Sequence, residues 1–211
     1  MRAIGAALLL LITWGCCQSA AEPTTSNRQS PSIDTSAHDG RIKLQRGDHR
    51  SLLLPGGDRR SIESLLAISS PLKYGNFAWD DIGVPKGPAW VRIDLTAQTM
   101  SVFRGKHEIG TSVILYGADN HPTPRGRFPI LTKLKDHRSS LYDAAMPFTL
   151  RLTGDGIAIH GSNVRYGAAT HGCIGIPEAF AEHLFSEVTL GDPVYIMPQL
   201  NQGGRDNEPA G

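Results

Sequence analysis

From Trp90 onward, apolar and polar positions alternate at the two-residue period of a half-buried strand. Val91, Ile93 and Leu95 alternate with Arg92 and Asp94, Thr96-Ala97-Gln98 reads as a turn, and Met100, Val102 and Phe103 lead back. This predicts a hairpin. Gly105-Lys106 makes the next turn, and further strands are expected over 108–115, 128–134, 148–152, 156–160 and 194–197. One helix is expected, from Pro177 to about Val188, with Pro177 suited to a first helical position because its missing N–H has no partner there anyway. The expected class is mainly β, two packed sheets around one core, with the domain running over 90–198.

Upstream the texture is different. Arg2 gives a positive start, Ala3 to Ile12 is apolar and Ser19-Ala20-Ala21 is small, which predicts a signal peptide over 1–21. The apolar run is too short to span a bilayer, so the mature protein is expected to have no transmembrane segment. A competing reading is a lipoprotein lipidated on Cys16, against which Trp14 stands where small residues are wanted. Residues 22–58 are rich in Ser, Thr, Asp, Arg and Pro and read as a flexible polar tether. Residues 59–89 read as a lead-in packing on the domain, with one or two helical turns at Ile62, Leu65 and Leu66 after an N-cap at Ser61, before Pro71, Gly75, Gly83, Pro85 and Pro88 interrupt. The stretch 199–211 reads as a loose tail.

Charge excludes one class of partner. Lys and Arg total 21 against 20 for Asp and Glu, so the formal charge of +1 supplies no basic field for nucleic acid, and no nucleotide-binding loop is present. Of three cysteines, Cys16 and Cys17 lie in the leader, which leaves Cys173 as the one thiol expected in the mature chain. An exported protein has no use for an unpaired thiol unless its chemistry is employed.

The last third of the chain concentrates reactive residues. Ile157 and Ile159 belong to a strand ending at His160-Gly161, and a glycine-containing loop leads on to Thr170-His171-Gly172-Cys173. A cysteine nucleophile needs a lowered pKa and a nearby imidazole. Gly172 lets a substrate carbonyl approach the backbone, so the amides of Gly172 and Cys173 can form an oxyanion hole, and the arrangement reads as acyl transfer. Each piece has a plainer reading: a lone buried cysteine usually packs, and a lone histidine is usually a hydrogen-bonded surface or core residue. His38, His49, His107, His121, His137 and His183 have no cysteine near them in sequence and are read that way. For His160, His171 and Cys173, spacing alone leaves a catalytic thiol and a metal site both open, although zinc would want a fourth ligand and no Cys-x-x-Cys pair is present.

These residues resemble the L,D-transpeptidase catalytic domain, often called YkuD-type. The resemblance runs from about Trp90 to Met197 and covers Thr123-Pro124-Arg125-Gly126-Arg127-Phe128, Met146-Pro147-Phe148, Ile159-His160-Gly161 and Thr170-His171-Gly172-Cys173. It implies a β-sandwich-like fold with one or two short helices. It also implies an exported enzyme, periplasmic or cell-wall associated, that acts on peptidoglycan stem peptides without cofactor or metal and is acylated by carbapenem-type inhibitors. By resemblance Cys173 is the nucleophile that attacks the carbonyl of the diamino acid at stem position three, expelling the terminal D-Ala and forming a thioester. His160 is its base, and His171 shapes the nucleophile loop. The amides of Gly172 and Cys173 hold the oxyanion, and a carbonyl at Gly161 or Ser162 orients His160. An amine on a second stem then forms a 3-3 cross-link. Phe148, Gly161, Ser162 and Arg165 are expected to contact substrate. One departure stands out: many relatives carry Arg or Asn where this chain has Gly175, and Arg165, between base and nucleophile, is the candidate replacement cation. Trimming by water, as in an L,D-carboxypeptidase, exchange of a terminal D-amino acid, and a non-catalytic peptidoglycan-binding module remain alternatives.

Overall fold

The computed structural model describes residues 38–44, 50–118, 120–139 and 143–198. The expected signal peptide, Cys16, Cys17, the tail from 199 and much of the expected tether lie outside the described residues.

The first described segments are strands: β1 (His38–Lys43), β2 (Arg50–Leu53), β3 (Arg59–Ile62) and β4 (Ser64–Ile68). This corrects two expectations. Residues 38–43 and 50–53 are not free tether, because β1 pairs antiparallel with β4 and β2 with β3. The helical turns expected at Ile62, Leu65 and Leu66 are strands as well. Ile62, Ser64 and Leu66 are all buried, a two-residue period that the apolar spacing concealed because the middle member is a serine. Pairing with neighbours decided the local conformation.

The remainder follows as β5 (Phe77–Trp79), β6 (Ala89–Asp94), β7 (Thr99–Arg104), β8 (His107–Val113), β9 (Gly126–Pro129), β10 (Thr132–Leu134), β11 (Thr149–Arg151), β12 (Ala158–Ser162), β13 (Ile174–Pro177), α1 (Glu178–Glu187) and β14 (Pro193–Ile196). The expected 90–103 hairpin is β6–β7, with Val91 opposite Val102 and Ile93 opposite Met100. The single strand expected over 128–134 is two. β9 pairs with β14 and β10 with β11, and the chain changes sheets at buried Ile130. Pro177 is the N-cap of α1 rather than its first helical residue.

One sheet runs β1-β4-β8-β7-β6-β14-β9 with β5 also on β8, and the other runs β10-β11-β12-β13. Their inner faces share one core, to which the first sheet contributes Val91, Ile93, Val102 and Val194, and the second Leu150, Ile159 and Ile174. The class is mainly β, as expected. The outer face of the large sheet carries Trp90, Phe103 and Tyr195, which cluster with Leu54 and Ile62 from around the β2–β3 hairpin. Arg60 of β3 lies 5.9 Å from the ring centroids of both Trp90 and Tyr195, a geometry in which the cation meets the negative faces of the rings. The upstream hairpin is therefore a lid on three aromatic side chains.

Candidate active site

Register places the reactive side chains. Across the small sheet, Thr132 pairs with Arg151, Leu134 with Thr149, Arg151 with Ala158, and His160 with Gly175. Paired residues share a face, so Thr132, Leu134, Thr149, Arg151, Ala158, His160, Ser162 and Gly175 point one way. Leu150, Ile159, Ile174 and Ile176 point the other way into the core, over Phe180, Ala181 and Leu184 of α1. Lys133, on the core side of β10, donates its amine to the carbonyls of Phe185 and Val188 and so places a cation at the C-terminal end of α1. One face of the sheet is thus fixed by helix and core. The other floors a cleft of about 510 Å³ whose lining includes His137, Met146, Arg151, His160, Ser162, His171 and Cys173.

His160 sits within β12, a rigid mount. Burial holds its imidazole below the ordinary value, the hydrogen bond to Gly161 acts in the opposite sense, and charge on His137 adds to the lowering. The Nδ1 to Gly161 O distance is 2.9 Å. A neutral ring that donates Nδ1–H to this carbonyl keeps Nε2 as its basic nitrogen. The carbonyl expected at Gly161 or Ser162 is thus that of Gly161, whose own N–H donates to Pro147 O at 2.8 Å.

Cys173 is half-buried, immediately before β13. Burial pushes its thiol up, the Ala158 backbone pulls the other way, and the S–H donates to Gly156 O at 3.8 Å. The lowered thiol pKa expected from sequence is not the resting condition: thiol and imidazole are both favoured neutral, because a half-enclosed site stabilises neither charge.

The loop that carries the thiol is stitched to the chain after β8. Leu115 and Gly175 exchange backbone hydrogen bonds of 2.8 and 3.0 Å, and Thr170 N donates to Tyr116 O at 3.0 Å. Gly172 has φ +102°, and a Cβ there would stand 2.7 Å from Ile157 Cδ1, so both conformation and space demand glycine. Gly117 packs on it so closely that its own Cβ would lie 2.8 Å from the Gly172 backbone. Thr123 ties the two together: Gly117 N–H donates to Thr123 Oγ1 at 2.9 Å, and that hydroxyl donates to Gly172 O at 2.9 Å. Thr123→Val is therefore expected to leave two buried backbone groups unpaired, costing about 1–3 kcal/mol each, and to slow thiol acylation about tenfold or more by loosening the loop. Thermal melting and acylation rates check this, with Thr123→Ser expected to restore both.

The structure brings Cys173, His160, His171 and Ser162 to the cleft and places Gly161 directly behind the imidazole. It does not bring Phe148 or Arg165. Phe148, at φ +55°, packs against Phe185 with ring centroids 5.8 Å apart, while Met146 occupies the lining. Arg165 is exposed, just before the Tyr166-Gly167 turn, and is not among the residues that line the cleft. Gly175 is tightly packed: a Cβ there would meet Ser162 Cβ at 3.1 Å and Leu115 Cβ at 3.4 Å, so a side chain would need its neighbours to give by a few tenths of an ångström. Two histidines read as bystanders belong here, His137 in the lining and His121 with its ring 5.4 Å from that of His171. Neither has a sequence signal, since the pairing of β10 with β11 and the path of the chain after β8 deliver them. Among the described residues, no three His, Cys, Asp or Glu side chains converge as a metal-holding group.

The model of the L,D-transpeptidase catalytic domain family matches residues 88–196. L,D-transpeptidase 1 of Mycobacterium tuberculosis is 25% identical over 188 residues, which covers 68% of this chain and 75% of that protein. Among solved structures, an L,D-transpeptidase from Stackebrandtia nassauensis superposes with a TM-score of 0.50 at 22% identity. That match covers 56% of this chain and 60% of that one, so the chain spans less than two thirds of the solved structure.

Proposed function

Because this chain belongs to the L,D-transpeptidase catalytic domain family, we propose that it is a peptidoglycan L,D-transpeptidase whose acyl carrier is Cys173. The observation that carries the reading is the shared cleft: a strand-mounted imidazole oriented by Gly161 O, and a half-buried thiol on a braced glycine loop, both lining one cavity.

The first half-reaction begins from the neutral pair. As Cys173 Sγ bonds to the carbonyl carbon of the third stem residue, its proton passes to His160 Nε2. The amides of Gly172 and Cys173 stabilise the oxyanion. Collapse breaks the peptide bond, His160 returns the proton to the departing D-Ala amine, and a thioester remains. An amine of a second stem then loses a proton to His160, attacks the thioester and releases the Cys173 thiol, completing a 3-3 cross-link. His171, at the exposed rim beside the nucleophile, shapes that loop. The same site makes acylation by carbapenem-type compounds an expected property. We assign the chain to the exported, cell-wall compartment, since its leader reads as a signal peptide.

Incubation with disaccharide tetrapeptides, followed by mass spectrometry, tests the reading. Cross-linked dimers with free D-Ala support it, and monomeric tripeptide as the only product would favour trimming. The pH profile is a second check. The first half-reaction needs His160 neutral, and burial lowers its pKa from 6.5, so the acid limb of acylation is expected below pH 6.5. Stability has its own sign. Below pH 6.5 the unfolded chain takes up a proton that the folded site resists, so stability falls with pH from 6.5 down to the lowered folded value and then levels.

A further inference from the structure

The cleft floor holds a cation that the chemistry above does not use. Arg151 shares the cleft face with Ala158, its partner across β11–β12, and the β12–β13 register continued one residue back sets Cys173 beside Ala158. Two strand spacings therefore separate the Arg151 and Cys173 backbones, about 10 Å. Its Nε donates to Thr153 O at 3.0 Å and its Nη2 to Gly154 O. A guanidinium has five N–H groups, so the Nη1 edge is left over. No described carboxylate forms an ion pair with Arg151. Asp155, the one carboxylate in the lining, is exposed and accepts from the Thr153 hydroxyl. The other titratable lining groups are His137, His160, His171 and Cys173, so Arg151 is the permanent cation of the cleft.

Resting on the transpeptidase reading, we propose that Arg151 is the specificity-determining residue of the donor site, its Nη1 edge binding the free terminal carboxylate of the stem peptide. A carboxylate two bonds beyond the scissile nitrogen stays close to the attacked carbonyl, and the turn that holds the guanidinium also carries Gly156 O, the acceptor of the Cys173 thiol. The two carbonyl bonds fix the fork in direction, and a fixed fork suits a planar carboxylate. This role falls to Arg151 and not to Arg165, which does not line the cleft, and Gly175 has no side chain with which to supply a cation.

The test uses two synthetic disaccharide tetrapeptides that differ only in carrying a terminal carboxylate or a terminal carboxamide. Amidation makes the departing amine less basic and so a better leaving group, which means that intrinsic reactivity opposes the expected preference. Turnover is read as kcat/KM for release of the terminal residue, and binding is read separately by calorimetry in the Cys173→Ala background. The mature wild type is expected to favour the acid about tenfold or more in both readouts, and Arg151→Gln to bring both ratios close to one. Arg151→Lys, which keeps the charge but not the fork, is expected to fall between and serves if the Gln variant does not fold. If Arg151 only braces the 153–156 turn, acid and amide lose activity equally and the ratio stays at its wild-type value, which overturns the proposal. Equal affinity of the Cys173→Ala protein for both donors overturns it too. Acid-selective binding without turnover of either donor by the wild type would uphold the recognition and sink the transpeptidase reading instead.

Discussion

Cys173→Ala is expected to reduce D-Ala release and cross-linking to the uncatalysed background while leaving the fold in place. The thiol is half-buried at the edge of the cleft, and its side chain makes a weak S–H bond of 3.8 Å to Gly156 O. Its loss opens no core cavity, so the stability change should stay within about 1 kcal/mol. Chemistry has no such tolerance, because without sulfur there is no thioester and water or amine would have to attack the stem amide directly. Activity assays paired with thermal melting check both halves. Turnover that persists in a folded Cys173→Ala protein would move the nucleophile elsewhere.

His160→Ala is expected to slow acylation by about 10²–10⁴-fold, the usual scale for losing a positioned general base. The resting thiol is held protonated by burial, so the protein relies on the base at the moment of attack more than one with a standing thiolate would. The loss should therefore shrink as pH rises and the thiol ionises unaided. Added imidazole should recover part of the rate by entering the vacated space. A variant within a few fold of wild type at neutral pH would show that His160 merely packs. Neutral thiol reagents, read by peptide mapping at Cys173, separate loss of nucleophilicity from loss of substrate binding.

The parts of the site readable in sequence are those where chemistry and chain proximity coincide. His160, His171 and Cys173 share one glycine-punctuated segment, and the parallel pairing of β12 with β13 closes that loop so that base and thiol face one cleft. Arg151 and His137 are delivered by antiparallel pairing over longer separations, and an arginine in a strand reads as an ordinary exposed residue. Thr123 lay within a visible motif. Its role depends on Gly117 and Gly172 meeting at van der Waals contact, which no local pattern encodes. Phe148 suffers the reverse error, since proximity to the motif suggested a substrate contact while its positive φ turns the ring toward Phe185. The upstream strands are not legible because β1 has a single apolar residue, Ile42, and the short leucine run of β2 fits no one period. They are held by partners, β1 by β4 and the β2–β3 hairpin by the aromatic face of the large sheet.

The central claim is that the stem peptide passes through a covalent bond to Cys173. Acid quenching of the wild type during steady turnover of a disaccharide tetrapeptide, followed by peptide mapping, tests it most directly. The account predicts a disaccharide-tripeptide adduct, the donor less its terminal D-Ala, on the peptide containing Cys173, labile to hydroxylamine as a thioester is. A second stem amine should discharge it into cross-linked dimer. Cross-linked product accumulating with no adduct at any quench time, or with the adduct on another residue, would contradict the account.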